Sequence, residues 1–256
     1  MVFPLSKMKN RIRSVVEGPI RLLYPEACQV CAESSASPQD GFICENCLQG
    51  ISRIKFPYCN CCGLPFEGDL DHAFQCPNCH EVRLYFETAR SACVANSLML
   101  DLLHRYKYGH ARWLEPLFER LLGEAVSNQI AADEYDLVIP LPLHPVRKRE
   151  RGFNQSGVLA RNLAKRIQLP CVEDAVKRVA HTQSQTMLTR KERAANVAQA
   201  FEVVDGKRIK NRRVLLIDDV LTTGATASEC ARVCLQAGCD TVNVWTLARG
   251  LGIVGQ

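Results

Sequence analysis

The 256-residue chain contains no apolar run near the roughly 18–20 residues that a membrane-spanning helix needs. Its opening stretch, MVFPLSKMKNRIRSVVEGPIRLLYPEAC, is basic and lacks the apolar centre of a secretory signal. It reads as a short amphipathic lead-in helix, with a membrane-surface segment as the weaker alternative. No G-x-x-x-x-G-K-[ST] occurs, so a P-loop is excluded and ATP-driven work would need a partner protein. G-x-S-x-G and H-E-x-x-H are missing too, which removes the nucleophile elbow and the zinc-protease helix. GLGIVG (250–255) fits G-x-G-x-x-G, but only Gln256 follows, so no helix can open there for a dinucleotide. It reads as a tail.

What is present is ordinary in bulk and uneven in distribution. Hydrophobic residues make up 47% and charged residues 23%, as in soluble globular proteins with room for one large or two modest domains. The net charge is +5, yet residues 1–90 hold 9 Lys/Arg against 10 Asp/Glu, whereas 91–256 hold 23 against 17. The excess gathers in HPVRKRERGFNQ (144–155), ARNLAKR (160–166) and GKRIKNRR (206–213). Such stretches suit an anionic partner, a phosphorylated small molecule or nucleic acid, unless they are solvated helix faces.

Nine of the 14 cysteines fall between residues 28 and 79, eight of them pairing as CQVC (28–31), CENC (44–47), CNCC (59–62) and CPNC (76–79). Without a signal peptide, metal ligation outweighs a disulfide framework. Intervals of 12, 11 and 13 residues are too short for a large core, so two tetrahedral zinc thiolate sites would supply the folding free energy. Sequential pairing gives Cys28, Cys31, Cys44 and Cys47, then Cys59, Cys62, Cys76 and Cys79; a cross-braced arrangement is the alternative. Tandem closure keeps the loops small and is preferred. Cys61, His72 and His80 read as bystanders, and Cys93, Cys171, Cys230, Cys234 and Cys239 as core. All-Cys sites leave no open position, which makes these zincs structural.

Beyond residue 82 the pattern alternates strand with helix. VRLYFETARSACVAN (82–96) alternates as strands do; SLMLDLLHRYKY (97–108), WLEPLFERLLGEAV (113–126) and SGVLARNLAKRI (156–167) carry helical stripes. DLVIPLPLH (136–144), VLLI (214–217) and TVNVWTLA (241–248) read as strands, and TASECARVCLQAG (226–238) as a helix stopped by glycine. The expectation is an α/β parallel sheet flanked by helices over 83–250, preceded by a lead-in segment (1–27) and a small double zinc ribbon (28–82).

Within it, VLLIDDVLTTGATASE (214–229) concentrates the chemistry. A buried parallel strand reads as continuous aliphatics, and ligands sit beyond the carboxyl ends of such strands. Asp218 and Asp219 fall there, and a small-residue loop follows into a helix. Loop N–H groups and the helix dipole favour a phosphate, and Thr222, Thr223 and Thr226 add hydroxyl donors. Two carboxylates beside a phosphate cradle suit a ribose 5-phosphate, each hydroxyl-to-carboxylate bond contributing about 1.5–3 kcal/mol.

This segment resembles the phosphoribosyl pyrophosphate signature of type I phosphoribosyltransferases. The resemblance implies that Asp218 and Asp219 engage the ribose hydroxyls and that Thr222, Thr223, Gly224, Ala225 and Thr226 hold the 5′-phosphate. RGFNQSGVLA (151–160), RVAHTQSQTMLTRKERAANVAQAF (178–201) and HRYKYGH (104–110) are similar to the ComF family, also described under GntX, over Cys28 to about Arg249. That likeness implies a zinc ribbon joined to a phosphoribosyltransferase-like domain, Mg²⁺ arriving with phosphoribosyl pyrophosphate, and an association with DNA uptake or use of DNA as a nutrient.

Phosphoribosyl transfer builds negative charge on departing pyrophosphate, which calls for Mg²⁺, cations and a hood excluding water. Arg147, Lys148 and Arg151, expected on a loop after the prolines, are candidates for the pyrophosphate. So is Lys107 in KYG, by resemblance. Arg178, Gln185, Arg193 and Asn196 match the family's mobile loop and are the hood candidates. Three functions compete: an Mg²⁺-dependent transferase, a non-catalytic phosphoribosyl pyrophosphate sensor, and a single-stranded-DNA-binding factor working with DNA-uptake proteins. The zinc region is not basic and offers few aromatics for base stacking. The expected location is cytoplasmic.

Overall fold

A computed structural model describes residues 27–66, 68, 74–131, 134–180 and 199–251. The chain forms two compact units, Met1–Gly50 and Ile51–Gln256, so the boundary falls between the second and third knuckles. In the first unit, Cys28 N–H donates to the Ser34 carbonyl and Gln29 N–H to that of Phe42, and the short helix α1 (Glu45–Leu48) starts directly after Cys44.

The second unit opens with the other two knuckles, the last leading into α2 (Pro77–Glu81). Its centre is a parallel sheet of β1 (Ala89–Val94), β2 (Leu137–Pro140), β5 (Arg213–Leu221) and β6 (Thr241–Arg249), in the order β1-β6-β5-β2. The helices between are α3 (Ser97–Tyr108), α4 (Glu115–Ser127), α5 (Pro145–Arg151), α6 (Gln155–Arg166) and α7 (Ala225–Gln236). A separate antiparallel pair joins β3 (Val176–Arg178) to β4 (Phe201–Val203). The free side of β1 is not left bare: Ile54 N–H donates to Ala92 and Val94 N–H to Ser52.

Local sequence accounts for most of these elements. The Asn96 side chain caps α3 by accepting from Met99 N–H at 3.0 Å, and Met99, Leu102, Leu103 and Tyr106 form its buried stripe. Pro116 sits in the first turn of α4, whose Leu117, Phe118, Leu121, Leu122 and Val126 are buried as their spacing predicts. Val214 and Leu216 share a core with Ala227, Cys230, Ala231 and Cys234 of α7. By the strand's period of two, Leu215 and Ile217 serve the opposite face, and α6 packs on β2 and β5. Cys93, Cys230, Cys234 and Cys239 are buried, while Cys171 is half-buried.

Three local expectations need correction. The strand read as VLLI continues through both acids to Leu221, because β6 goes on pairing with it (Asp218 opposite Thr246, Leu221 opposite Arg249) after β2 has stopped at Pro140. The acids therefore stand beyond the end of one neighbour while the other still holds them in the sheet. Arg147, Lys148 and Arg151 lie on a helix rather than a loop, since Pro145 occupies a first-turn position that needs no N–H donor and His144 Nδ1 accepts from Val146 N–H at 3.3 Å. Of 82–96 only Ala89–Val94 is a strand; 83–88 crosses irregularly toward α7.

Candidate ligand cleft and cysteine clusters

The eight knuckle cysteines assemble in tandem, Cys28/Cys31/Cys44/Cys47 and Cys59/Cys62/Cys76/Cys79, with every ligand sulfur of a set within 4.8 Å of the others. Zn–S bonds of about 2.3 Å in a regular tetrahedron imply sulfur separations of about 3.8 Å. The sulfurs lie 3.8 Å apart for Cys31–Cys44, 3.9 Å for Cys59–Cys79, and 3.6 Å for Cys62–Cys76 and Cys76–Cys79. Backbone N–H groups point at two of them, Cys44 N–H to Cys28 Sγ and Cys76 N–H to Cys59 Sγ, both at 3.3 Å. Both sets thus fit structural zinc, and neither includes Cys61 or His80. His72 lies outside the described residues.

At the carboxyl end of β5 a cleft of about 240 Å³ is lined by both acids together with Lys107, Arg147, Arg151, Arg178 and Thr226. Six elements converge on it, β5 and α7 among them. The end of α3 supplies Lys107, whose ammonium pairs with Asp219 Oδ2. Helix α5 brings Arg147 and Arg151 to one face at i, i+4, whereas Lys148 is exposed and does not line the cleft. β3 ends on Arg178, buried and set over the Phe201 ring at 5.4 Å. The start of α6 adds Ser156, whose hydroxyl donates to Asp218 Oδ1 at 2.7 Å, the oxygen that also accepts from Asp219 N–H at 2.8 Å. Gln185, Arg193 and Asn196 lie outside the described residues.

The two carboxyls are electrostatically unequal. Loss of water deep in the cleft, followed by the neighbouring Asp219 charge, pushes Asp218 up to about 7. The same desolvation acts on Asp219, but the Lys107 ammonium outweighs it and keeps the carboxyl below its ordinary range, with Arg151 adding to the effect. The pair therefore holds one firm negative charge and one proton that is exchangeable near neutrality. Burial, then Arg147, lower the Arg178 pKa from its usual value.

The loop expected to hold a phosphate turns on Gly224, whose φ of 80° only glycine adopts without strain. A Cβ there would also stand 3.3 Å from the Phe86 ring. Thr223 Oγ1 accepts from Ala225 N–H at 3.4 Å, Thr226 lines the cleft and Thr222 is exposed. Sequence reasoning assigned no role to Tyr108, Asn154, Gln155, Ser156 or Arg249. Tyr108 borders the cleft and accepts from Arg151 Nη2 at 2.8 Å. Asn154 and Gln155 place buried carbonyl oxygens there without protein partners among the described residues. The signal was the polar triplet Asn-Gln-Ser opening an otherwise amphipathic helix.

Residues 20–80 match the double zinc ribbon domain family, and residues 154–252 match the phosphoribosyl transferase domain family. The chain is 33% identical to competence protein F of Haemophilus influenzae, over 81% of this chain and 90% of that protein. It is 28% identical to DNA utilization protein YhgH of Escherichia coli, over 90% of this chain and 100% of the relative. Identity to competence protein ComFC of Bacillus subtilis is 27%, over 82% and 85% of the two chains. A glutamine phosphoribosylpyrophosphate amidotransferase from B. subtilis overlaps 55% of this chain and 30% of its own at 17% identity and a TM-score of 0.38, too loose to add to the domain match. Tandem cysteine tetrads, a parallel sheet with its acid pair, and near full-length similarity to these relatives place the chain in the ComF family, as a double zinc ribbon followed by a phosphoribosyltransferase domain.

Proposed function

We propose that the cleft binds phosphoribosyl pyrophosphate with Mg²⁺ and that the chain is a phosphoribosyltransferase serving the uptake or use of DNA. One observation carries this reading: an acid pair, faced by Lys107, stands directly before a glycine-turned loop that opens a 12-residue helix. The ribose hydroxyls would donate to Asp218 and Asp219, taking over the acceptor that Lys107 now occupies. The 5′-phosphate would lie at Thr222–Thr226, where the amides of the loop and the helix dipole favour an anion. Lys107, once released, and Arg147 and Arg151 would meet the pyrophosphate. Asp218 and Asp219 are the only carboxylates among the described lining residues, so Mg²⁺ would be held chiefly by pyrophosphate oxygens and water, adding charge neutralisation.

The transferase step follows from the same charges. A nitrogen nucleophile bonds to C1 of the sugar as the bond from C1 to pyrophosphate oxygen breaks, and the leaving group carries off the electron pair. Cations held at the cleft by its helices, Arg147 and Arg151 on α5, would stabilise that charge with little reorganisation. Thiolate ligands require reducing surroundings, which supports a cytoplasmic setting. Among the described residues no helix is long and apolar enough to cross a membrane.

A direct grip on single-stranded DNA is the second reading, favoured by the names of the relatives and by the basic stretches. The structure draws charge away from those stretches. Arg161 pairs with Glu173, Arg208 with Asp174 and Arg213 with Asp136, at 2.5, 2.6 and 3.0 Å. Calorimetric titration with phosphoribosyl pyrophosphate and Mg²⁺ tests the first reading. Wild type should bind, and Asp218→Asn/Asp219→Asn should lose about 100-fold or more, as two charge-assisted bonds imply. A zinc-loaded, folded wild type that does not bind sinks it; salt-dependent binding of an oligonucleotide would then favour the second.

A further inference from the structure

Arg249 ends β6, a place where an arginine is ordinarily solvated, yet it is only 3% exposed. Its guanidinium donates in two directions. On one side Nε reaches the Cys62 carbonyl at 3.0 Å and Nη2 reaches Cys62 Sγ at 3.3 Å. On the other, Nη1 reaches the carbonyls of Leu221 at 3.1 Å and Thr222 at 2.6 Å, with that of Gly250 beside them. Among the described residues no carboxylate pairs with it. A buried guanidinium facing only neutral carbonyls and a thiol would be an uncompensated charge, one of the costlier things a fold can hold. The tetrad beside it resolves the imbalance: four thiolates on one Zn²⁺ carry a net charge of two minus, and bound thiols are deprotonated outright.

A second tie runs through 83–88, the segment that follows the last cysteine of that cluster. Leu84 packs against the cysteine cluster and also against the sheet core. Phe86 closes on Gly224, and Tyr85 N–H donates to Ser228 Oγ at 3.0 Å in the first turn of α7. The loop Thr222–Thr226 is thus gripped from one side by Arg249 and from the other by the chain leaving the cluster.

We propose that Arg249 is the counter-ion of the second zinc–thiolate centre and a positioning residue for the phosphate loop, so that metal in this cluster sets the loop's geometry. The ribbon then forms a supporting wall of the ligand site in addition to stabilising the fold. The effect on ligand affinity rests on the function proposed above; the effect on the loop itself does not.

The test uses the full chain loaded with zinc, as wild type, Arg249→Lys and Arg249→Gln, read by amide hydrogen exchange without ligand. Exchange over 220–226 should rise about tenfold in Arg249→Gln, the scale of one buried hydrogen bond. The central sheet, 214–217 and 242–246, should keep its protection, and Arg249→Lys should fall between. With Co²⁺ in place of zinc, the thiolate-to-metal charge-transfer band should shift in Arg249→Gln, a change that a merely structural arginine would not cause. Should Arg249→Gln fail to fold, chelator-treated wild type replaces it, and the loop should again loosen before the sheet. Unchanged loop exchange, or a cobalt spectrum indifferent to Arg249, overturns the proposal. Phosphoribosyl pyrophosphate with Mg²⁺ should bind Arg249→Gln about tenfold more weakly. A wild type that ignores this ligand while the exchange and cobalt effects hold would refute the function and leave the coupling standing.

Discussion

Two clusters of identical ligand type have different settings in this chain. In the first, Cys31 and Cys47 are half-buried, and hydrogen bonds such as Ala32 N–H to the Cys28 carbonyl and Gln29 N–H to the Phe42 carbonyl join residues of the same short unit. In the second, all four cysteines are buried and the neighbouring bonds run into the α/β domain. Ala89 N–H donates to the Cys61 carbonyl at 2.7 Å, and Arg90 to that of Asn60 at 3.0 Å. The approach is close enough that a Cβ on Gly63, whose φ is +64°, would stand 2.6 Å from the Ala89 carbonyl oxygen. Ligand chemistry alone therefore does not say what a zinc ribbon is for. The second is bonded into the α/β domain through β1 and Arg249, and the first organises a unit of its own.

The strongest way to break that contrast is to remove one ligand from each cluster in the full chain. Cys76→Ser should lower the melting temperature of the α/β unit by about 10 °C or more, because a structural zinc contributes folding free energy directly. Cys31→Ser should leave that transition within about 2 °C, a shift worth less than 1 kcal/mol at this size. Equal losses in the two variants would dissolve the distinction. Zinc release to a chromogenic chelator should show two phases, the slow one on the order of tenfold slower, since the second cluster needs sub-global opening. Cys31→Ser should lack the fast phase; loss of the slow phase instead would reverse the assignment.

A smaller effect tests the packing between cluster and loop. Gly224→Ala should cost about 1–2 kcal/mol in urea unfolding, from the left-handed backbone and the Phe86 contact together. Phe86→Leu should recover only the steric share; full recovery would mean that the backbone conformation is unimportant. The mildest prediction concerns protons. Asp218 has a folded pKa raised to about 7, so between its unfolded value near 3.8 and that pH the folded state keeps a proton the unfolded chain releases. Its contribution favours folding at the acid side of this window and declines as pH rises, levelling off above 7. Unfolding near pH 6 should therefore release a fraction of one proton, absent in Asp218→Asn and unchanged in Cys31→Ser. An Asp218→Asn variant with the wild-type pH dependence would show that another group carries the linkage.

The parts legible in the sequence are those where chemistry and local spacing coincide. Cys-x-x-Cys knuckles bring two ligands together within a single turn, and short intervals make tandem closure the economical pairing. The helical stripe Leu117, Phe118, Leu121, Leu122, Val126 reports burial on one face because the period of 3.6 allows no other. Asp218, Asp219 and the loop to Thr226 are contiguous, so strand, turn and helix start could be read as one unit. Elsewhere the reading departed from the structure where distant chain decides or where a local helix start went unrecognised. β5 looked four residues shorter at its carboxyl end because Asp is a poor strand residue, and only its pairing with β6 keeps it extended. Lys148 looked equivalent to Arg147 and Arg151 until the segment proved helical, which turns neighbours in sequence to different faces.

Sequence by itself determined the ligand classes: eight paired thiolates, two adjacent carboxylates and a small-residue loop, each a matter of residue type at short separation. Tertiary structure decided how they are wired. The pairing of Lys107 with Asp219, the bond from Ser156 to Asp218 and the bridge from Arg249 to Cys62 span 112, 62 and 187 positions. No local propensity encodes such contacts. They arise because parallel strands need long crossovers, which carry distant segments to the same end of the sheet.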